Sequence, residues 1–194
     1  MTEANSRARL LVAGIGNIFF SDDGFGPAVV HALLSATDPL PDGVRVVDYG
    51  IRGMHLTYDL LAGYEGLVLI DAIPGNDQAR GEIAAGEIAA GEIVVRQVGF
   101  DDLGDAEFDP HAMAPVAVLA SLGSLGGSLP PTYVVGCVPA DTSEGIGLSG
   151  PVTAAVPEAA TVVADLVDEL VAGLVGTGLV STASAPASTP GTGD

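Results

Sequence analysis

The sequence predicts an α/β fold of three layers, helix on sheet on helix, and three observations predict it. Short apolar runs of strand length alternate with longer stretches of helical texture along most of the chain. One of those runs, Leu67-Val68-Leu69-Ile70, is apolar without polar alternation, as a central strand covered on both faces should be. The first run, Leu10 to Ala13, feeds directly into Gly14-Ile15-Gly16-Asn17 and then, past Asp22 and Asp23, into a helix-like segment. That is the pattern of a buried strand followed by a loop whose backbone passes close to something.

Taken in order, strands are expected at 9–13, 44–48, 67–71, 91–97 and 132–136. Helices are expected between and after them, at about 25–36, 53–63, 111–123 and 150–173. The last helix has the clearest pattern: Val152, Val156, Ala159, Val163, Leu166, Val167 and Leu170 recur at three- and four-residue steps. Ser149 suits its N-cap, Pro151 is tolerated in the first turn, and Gly173 and Gly176 mark its end. Residues 1–176 are read as a single α/β domain, long enough to bury a core. Residues 177–194 are small, polar and proline-containing, and are read as a disordered tail. Residues 81–95 repeat a pentapeptide, GEIAA-GEIAA-GEIVV. The period is far too short for a solenoid; the third copy belongs to a strand and the first two read as a loop insertion.

Composition excludes several functions. The net charge is −19, and all six basic residues are arginine. Such a surface repels nucleic-acid phosphates and anionic lipid, so neither nucleic acid nor membrane is an expected partner; a cation, or a neutral or basic protein, is. Arg7 and Arg9 precede an apolar stretch, but Gly14, Gly16 and Asn17 break it and Ser21-Asp22-Asp23 follows, which is not a signal-peptide pattern. No run of about 18 apolar residues suggests a membrane span. The single cysteine, Cys137, allows no internal disulfide and fits a reducing cytoplasm; it closes an apolar run and reads as a buried small hydrophobe. Gly14-x-Gly16 lacks the third glycine of a dinucleotide fingerprint, since position 19 is Phe, and the carboxylates that follow would repel a pyrophosphate.

The chemistry falls on three residues. Asp23 follows the first strand's loop, Asp71 ends the third strand, and His111 follows Asp109-Pro110 at a helix start. Loops after parallel strands meet at one sheet edge, where ligands of open α/β sheets bind. Two carboxylates and an imidazole suit a borderline divalent ion such as nickel or zinc and leave positions open for substrate or water. Blander roles stand beside this one. Asp22 or Asp23 could cap the helix that follows, Asp71 could bind the turn after it, and His111 could merely pack. Asn17 is expected to brace the glycine loop, His31 to lie on the surface, and His55 and Arg52 to sit in an exposed turn where Arg52 could meet a substrate carboxylate. No Ser-His-Asp order or HExxH motif is present.

Residues 10–26 resemble the opening of the [NiFe]-hydrogenase maturation endopeptidases: a strand, Gly-x-Gly-Asn, an acidic pair and a glycine-bearing turn. DYGIRGMHL at 48–56, LVLIDAI at 67–73, DPH at 109–111 and the turn through Val138-Pro139 and Ile146-Gly147-Leu148-Ser149 match further family segments in order, so the resemblance spans about residues 9–173. The same Gly-Ile-Gly-Asn opening is similar to that of peptidyl-tRNA hydrolases, but their substrate demands a basic groove that this composition does not supply. The maturation-protease resemblance implies a phosphorylase/hydrolase-like sheet of order 2-1-3-5-4 with strand 4 antiparallel. It implies an endopeptidase that removes the C-terminal extension of a hydrogenase large-subunit precursor after nickel insertion. It further implies that Asp23, Asp71 and His111 are the catalytic and metal-binding residues, with nickel supplied by the substrate. Either carboxylate, or metal polarisation of the scissile carbonyl, could activate the reaction. The competing functions are a metal-dependent chaperone that holds the precursor without cutting it and an unrelated hydrolase of small molecules.

Deleting residues 177–194 is expected to leave the melting temperature nearly unchanged, because the segment lacks the periodic apolar pattern that burial needs. Differential scanning calorimetry of the truncated chain measures this directly, and a large drop would mean that the tail docks.

Overall fold

The computed structural model describes residues 10–73, 89–99 and 122–180. Its elements, numbered here in chain order, are β1 (Leu10–Ile15), a 3-10 turn (Ser21–Gly24), α1 (Phe25–Ser35), β2 (Val44–Gly50), α2 (Gly53–Leu60), β3 (Gly66–Ala72), β4 (Ile93–Val98), β5 (Thr132–Cys137) and α3 (Gly150–Val180). The strands form one sheet of order β2-β1-β3-β5-β4. β1 pairs in parallel with β2 and β3, β3 pairs in parallel with β5, and β4 alone runs antiparallel, with Ile93 opposite Cys137 and Val98 opposite Thr132. Both the order and the reversed fourth strand agree with the expectation.

The apolar runs lack polar alternation because both faces of the sheet are covered. Leu10, Val12, Val68 and Ile70 face one core with Phe25, Val29 and Val30 of α1 and Val152, Ala159 and Val163 of α3. Leu11, Ala13, Leu67 and Leu69 face the other with Leu56 and Leu60 of α2 and with Leu122. Successive strand residues thus serve opposite layers. By length and composition α3 could cross a membrane, an 18-residue window within Gly150–Leu174 reaching a mean hydropathy of 1.2. Its apolar stripe is instead core: Val152, Ala159, Val163 and Val167 are fully buried, each such valine contributing about 1.5–3 kcal/mol.

Two boundaries differ from expectation. α3 does not stop at Gly173 but continues to Val180, four residues into the expected tail. α2 ends at Leu60 rather than residue 63, since Leu61 to Gly63 close a turn that finishes with Gly63 at φ 81°. Of the expected helix at 111–123, only residues 122 and 123 are described, and both are helical; the first two pentapeptides lie largely outside the described residues.

The sheet edge is built on close backbone approach. Gly26, in the first turn of α1, sits so near β1 and β3 that a Cβ there would run into the carbonyl oxygens of Ile15 and Ile70. Gly16 has φ 132°, and a Cβ on it would collide with the Asp23 carbonyl. These contacts explain why glycines occupy this loop without any phosphate to bind. Gly26→Ala is expected to destabilise the fold by about 3 kcal/mol or more, because two backbones would have to separate. Urea unfolding monitored by circular dichroism reads the change.

Candidate functional site

The carboxyl ends of β1, β2, β3 and β5 lie at one sheet edge, as parallel pairing requires. The β1 loop is the most constrained. Asn17 Oδ1 accepts the Phe19 N–H at 3.1 Å, and the Asn17 carbonyl accepts that of Phe20 at 2.9 Å, which is the bracing expected of this side chain. Ser21 then takes a left-handed φ of 47°, a conformation that costs a non-glycine about 1–2 kcal/mol. It is held there by its N–H on Gly145 O (3.0 Å) and its Oγ on Ser143 O (3.1 Å).

This turn sends two adjacent carboxylates to different partners. Asp22 is fully buried. Its Oδ2 accepts the N–H groups of Ala140 (2.8 Å) and Asp141 (3.0 Å) and the Ser149 hydroxyl (2.8 Å), while Oδ1 accepts the Ser149 N–H at 2.6 Å. Burial alone would raise its pKa, but these bonds together outweigh burial and hold the carboxyl below its ordinary range. The expectation that one of the acidic pair caps α1 is not met: the N-cap is Gly24, with no side-chain cap bond. Asp22 serves the start of α3 instead, where Ser149 O accepts the first helical N–H from Thr153 at 2.8 Å and the helix dipole favours a negative charge.

Asp23 turns back on its own loop, its Oδ2 accepting the Asn17 N–H at 2.7 Å. Asp71 is half-buried at the end of β3, and its Oδ1 accepts the N–H of Ala72 at 2.9 Å. Burial first, and the negative charge of Asp23 second, push the Asp71 carboxyl well above the ordinary range, with the Ala72 N–H opposing them. Asp23 and Asp71 are therefore close enough to repel. Among the described residues, neither Asp23 Oδ1 nor Asp71 Oδ2 accepts a hydrogen bond. Such a pair is suited to take up a cation or to hold a proton. His111, with Asp109 and Pro110, lies outside the described residues, and among those described no three His, Cys, Asp or Glu side chains group around a common metal position.

The remaining candidates resolve simply. His31 and His55 are exposed. Cys137 is buried, and burial together with the charge of Asp22 pushes its thiol up to about 11, which suits packing rather than attack. One cluster was not anticipated from the sequence. Tyr49 donates its hydroxyl to Asp59 Oδ2 at 2.6 Å, the Arg45 guanidinium lies 3.1 Å from the same oxygen, and Arg45 also donates to the Tyr64 hydroxyl at 2.9 Å. Its members come from β2, α2 and the turn after α2, so only the fold brings them together.

The hydrogenase maturation protease family model matches residues 27–166. The chain belongs to that family. The hydrogenase 2 maturation protease of Escherichia coli (strain K12) is 30% identical over 151 residues, covering 78% of this chain and 85% of the relative. The solved structure of the hydrogenase maturating endopeptidase HybD from E. coli superposes with a TM-score of 0.67 at 28% identity, over 83% of this chain and 93% of that one. That of a hydrogenase 2 maturation peptidase from Thaumarchaeota archaeon SCGC_AB-539-E09 gives 0.58 at 30% identity, over 81% and 97%. The fold and the enzyme class, a peptide-bond hydrolase of the maturation protease kind, agree with the resemblance read from the sequence.

For this protease, Asp22→Asn is expected to cost about 3 kcal/mol, well beyond the roughly 1 kcal/mol of a lost helix cap, because a buried acceptor of charge-assisted bonds is removed. The folded-state pKa of Asp22 is depressed, so its stabilisation is fully present above the unfolded value of about 3.9 and is lost as pH falls through the lower folded value. Denaturant melts of wild type and variant between neutral and acid pH should converge at the acid end.

Proposed function

We propose that this protease removes the C-terminal extension of a [NiFe]-hydrogenase large-subunit precursor after nickel insertion, and that Asp23, Asp71 and His111 engage the nickel the precursor carries. The nickel is part of the substrate in this reading, so the enzyme needs no resident metal. The observation that carries the proposal is the repelling carboxylate pair at the sheet edge, each member with an oxygen free of hydrogen bonds among the described residues. A pair in this condition is relieved by an arriving cation, which makes a loaded precursor a better ligand than an empty one. His111 completes a donor set suited to a borderline divalent ion. A carboxyl whose pKa is raised, as that of Asp71 is, is also a stronger base than an ordinary carboxylate, which suits a group that takes a proton from water.

A protein substrate is supported by the rim. Ile18, Phe19, Ile51 and Ile146 are exposed on the loops after β1, β2 and β5, and Met54 is exposed in the first turn of α2, around the same edge. Large apolar side chains gathered around one site mark a surface that contacts protein. The unpaired, buried Cys137 supports a cytoplasmic setting, and the acidity of the chain keeps nucleic acid and membrane out of the reaction.

Cleavage of the nickel-loaded precursor, followed by gel mobility or mass spectrometry, tests the reading. Asp23→Asn, Asp71→Asn and His111→Ala are each expected to lower cleavage by at least about a hundredfold. Asp71→Asn should melt no lower than wild type, because it removes a buried carboxyl that Asp23 repels. Binding of the precursor by wild type with no cleavage would sink the protease reading in favour of a chaperone.

A further inference from the structure

A surface cavity of about 300 Å³ lies between β2 and α2, lined by Arg45, Tyr49, Arg52, His55, Tyr58 and Asp59 among others. It holds two of the six arginines of a chain whose net charge is −19. The two differ in state. Arg45 is neutralised by Asp59 at 3.1 Å. Arg52 is braced by backbone instead: its Nε donates to the Tyr49 carbonyl at 3.0 Å and its Nη2 to the Asp48 carbonyl at 2.6 Å. No carboxylate pairs with it among the described residues. A guanidinium carries five N–H donors, so two bonds to carbonyls fix its plane and leave donors for a ligand. Its charge is also left uncompensated, in a wall shared with the His55 imidazole and the phenol rings of Tyr49 and Tyr58.

We propose that this cavity binds a carboxylate group of a peptide, with Arg52 as the residue that receives it. A carboxylate fits where a phosphate would not. It is planar and singly charged, matching one guanidinium face, whereas Asp59 in the lining and the acidity of the whole chain disfavour a dianion. The aromatic walls accommodate the stem that carries the charge. The position suits a segment of substrate. Arg52 follows the end of β2, Asp71 ends β3, and β1 lies between them. Two strand spacings are about 10 Å. An extended peptide spans that in about three residues. The cavity would thus read a carboxylate about three residues from the bond cut at the sheet edge. Only this link to cleavage rests on the proposed function; the binding itself does not.

Three probes separate the sources of the carboxylate: acetyl-Gly-Gly-Leu with a free C-terminus, the same peptide as its amide, and acetyl-Gly-Glu-Gly amide. Each is titrated into the full chain while NMR follows the Arg52 side-chain N–H and the His55 ring. The free acid, the glutamyl peptide or both should bind about tenfold more tightly than the neutral amide, with shifts at Arg52 and His55 that high salt suppresses. Whichever carboxylate peptide binds names the source, a chain terminus or an acidic side chain. In Arg52→Gln the preference for carboxylate should vanish. Equal binding of the neutral amide in wild type overturns the proposal whether or not the variant folds, and so does a carboxylate preference that survives Arg52→Gln. Asp71→Asn should keep the preference while losing cleavage. If the precursor is never cut yet Arg52 still selects carboxylate, the cavity stands and the protease reading falls; cleavage without that selection gives the reverse.

Discussion

The sheet edge that carries the candidate site is tied together by one buried carboxylate. Asp22 has no contact with solvent and, among the described residues, no cation beside it, in a chain already carrying a net charge of −19. Its charge is met wholly by hydrogen-bond donors: three backbone N–H groups and one hydroxyl, all from residues 140–149. An anion buried this way is tolerable because every strong acceptor position is filled. The result is a joint between the loop after β1, the loop after β5 and the first turn of α3. The bridge between Phe20 and Gly145 and the bonds of Ser21 to the same loop reinforce it. Together they anchor the turn that carries the left-handed Ser21 and, next to Asp22, Asp23.

Three aspartates within this small region illustrate how environment divides labour among identical side chains. Asp22 is satisfied and its pKa is depressed, which makes it structural. Asp71 is hemmed in by apolar strand, accepts one bond from its neighbour, and faces the charge of Asp23, so its ionised form is costly and a proton or a cation is favoured beside it. Adjacent positions in the sequence thus differ in environment: Asp22 is locked into the scaffold, while Asp23 keeps one oxygen free of hydrogen bonds among the described residues and faces Asp71.

Much of this was legible in the sequence because it is local. The strands and helices announce themselves through apolar periodicity, the turn at Asn17 through its residue type, and the burial of Cys137 through its neighbours. The role of Asp22 was not legible, since its partners lie 118 to 127 residues away and nothing in SDDG distinguishes a cap from a joint. The Arg45–Asp59–Tyr49 cluster was invisible for the same reason: it exists only once α2 packs on β2. α3 outran its expected end because Gly173 weakens a helix by only about 1 kcal/mol, which apolar packing before it readily offsets. Helix termination by glycine is a tendency, and tertiary contact decides.

The reversed direction of β4 has a consequence for how the protein tolerates length change. β3 ends at Ala72 on the functional edge, and β4, because it runs antiparallel, begins at Ile93 on that same edge, pinned there by the bonds of Gly91 and Glu92 to Val138. β5 lies between β3 and β4 in the sheet, so the two ends that this connection joins are on the same edge and two strand spacings, about 10 Å, apart. The first two pentapeptide units fall outside β3 and β4, whose registers are set by pairing with β5, whereas the third contributes Ile93 to Val95 to β4. Both attachment points lie on the edge that carries Asp71, so any change of length in this connection starts and ends beside the candidate site rather than on the far side of the domain.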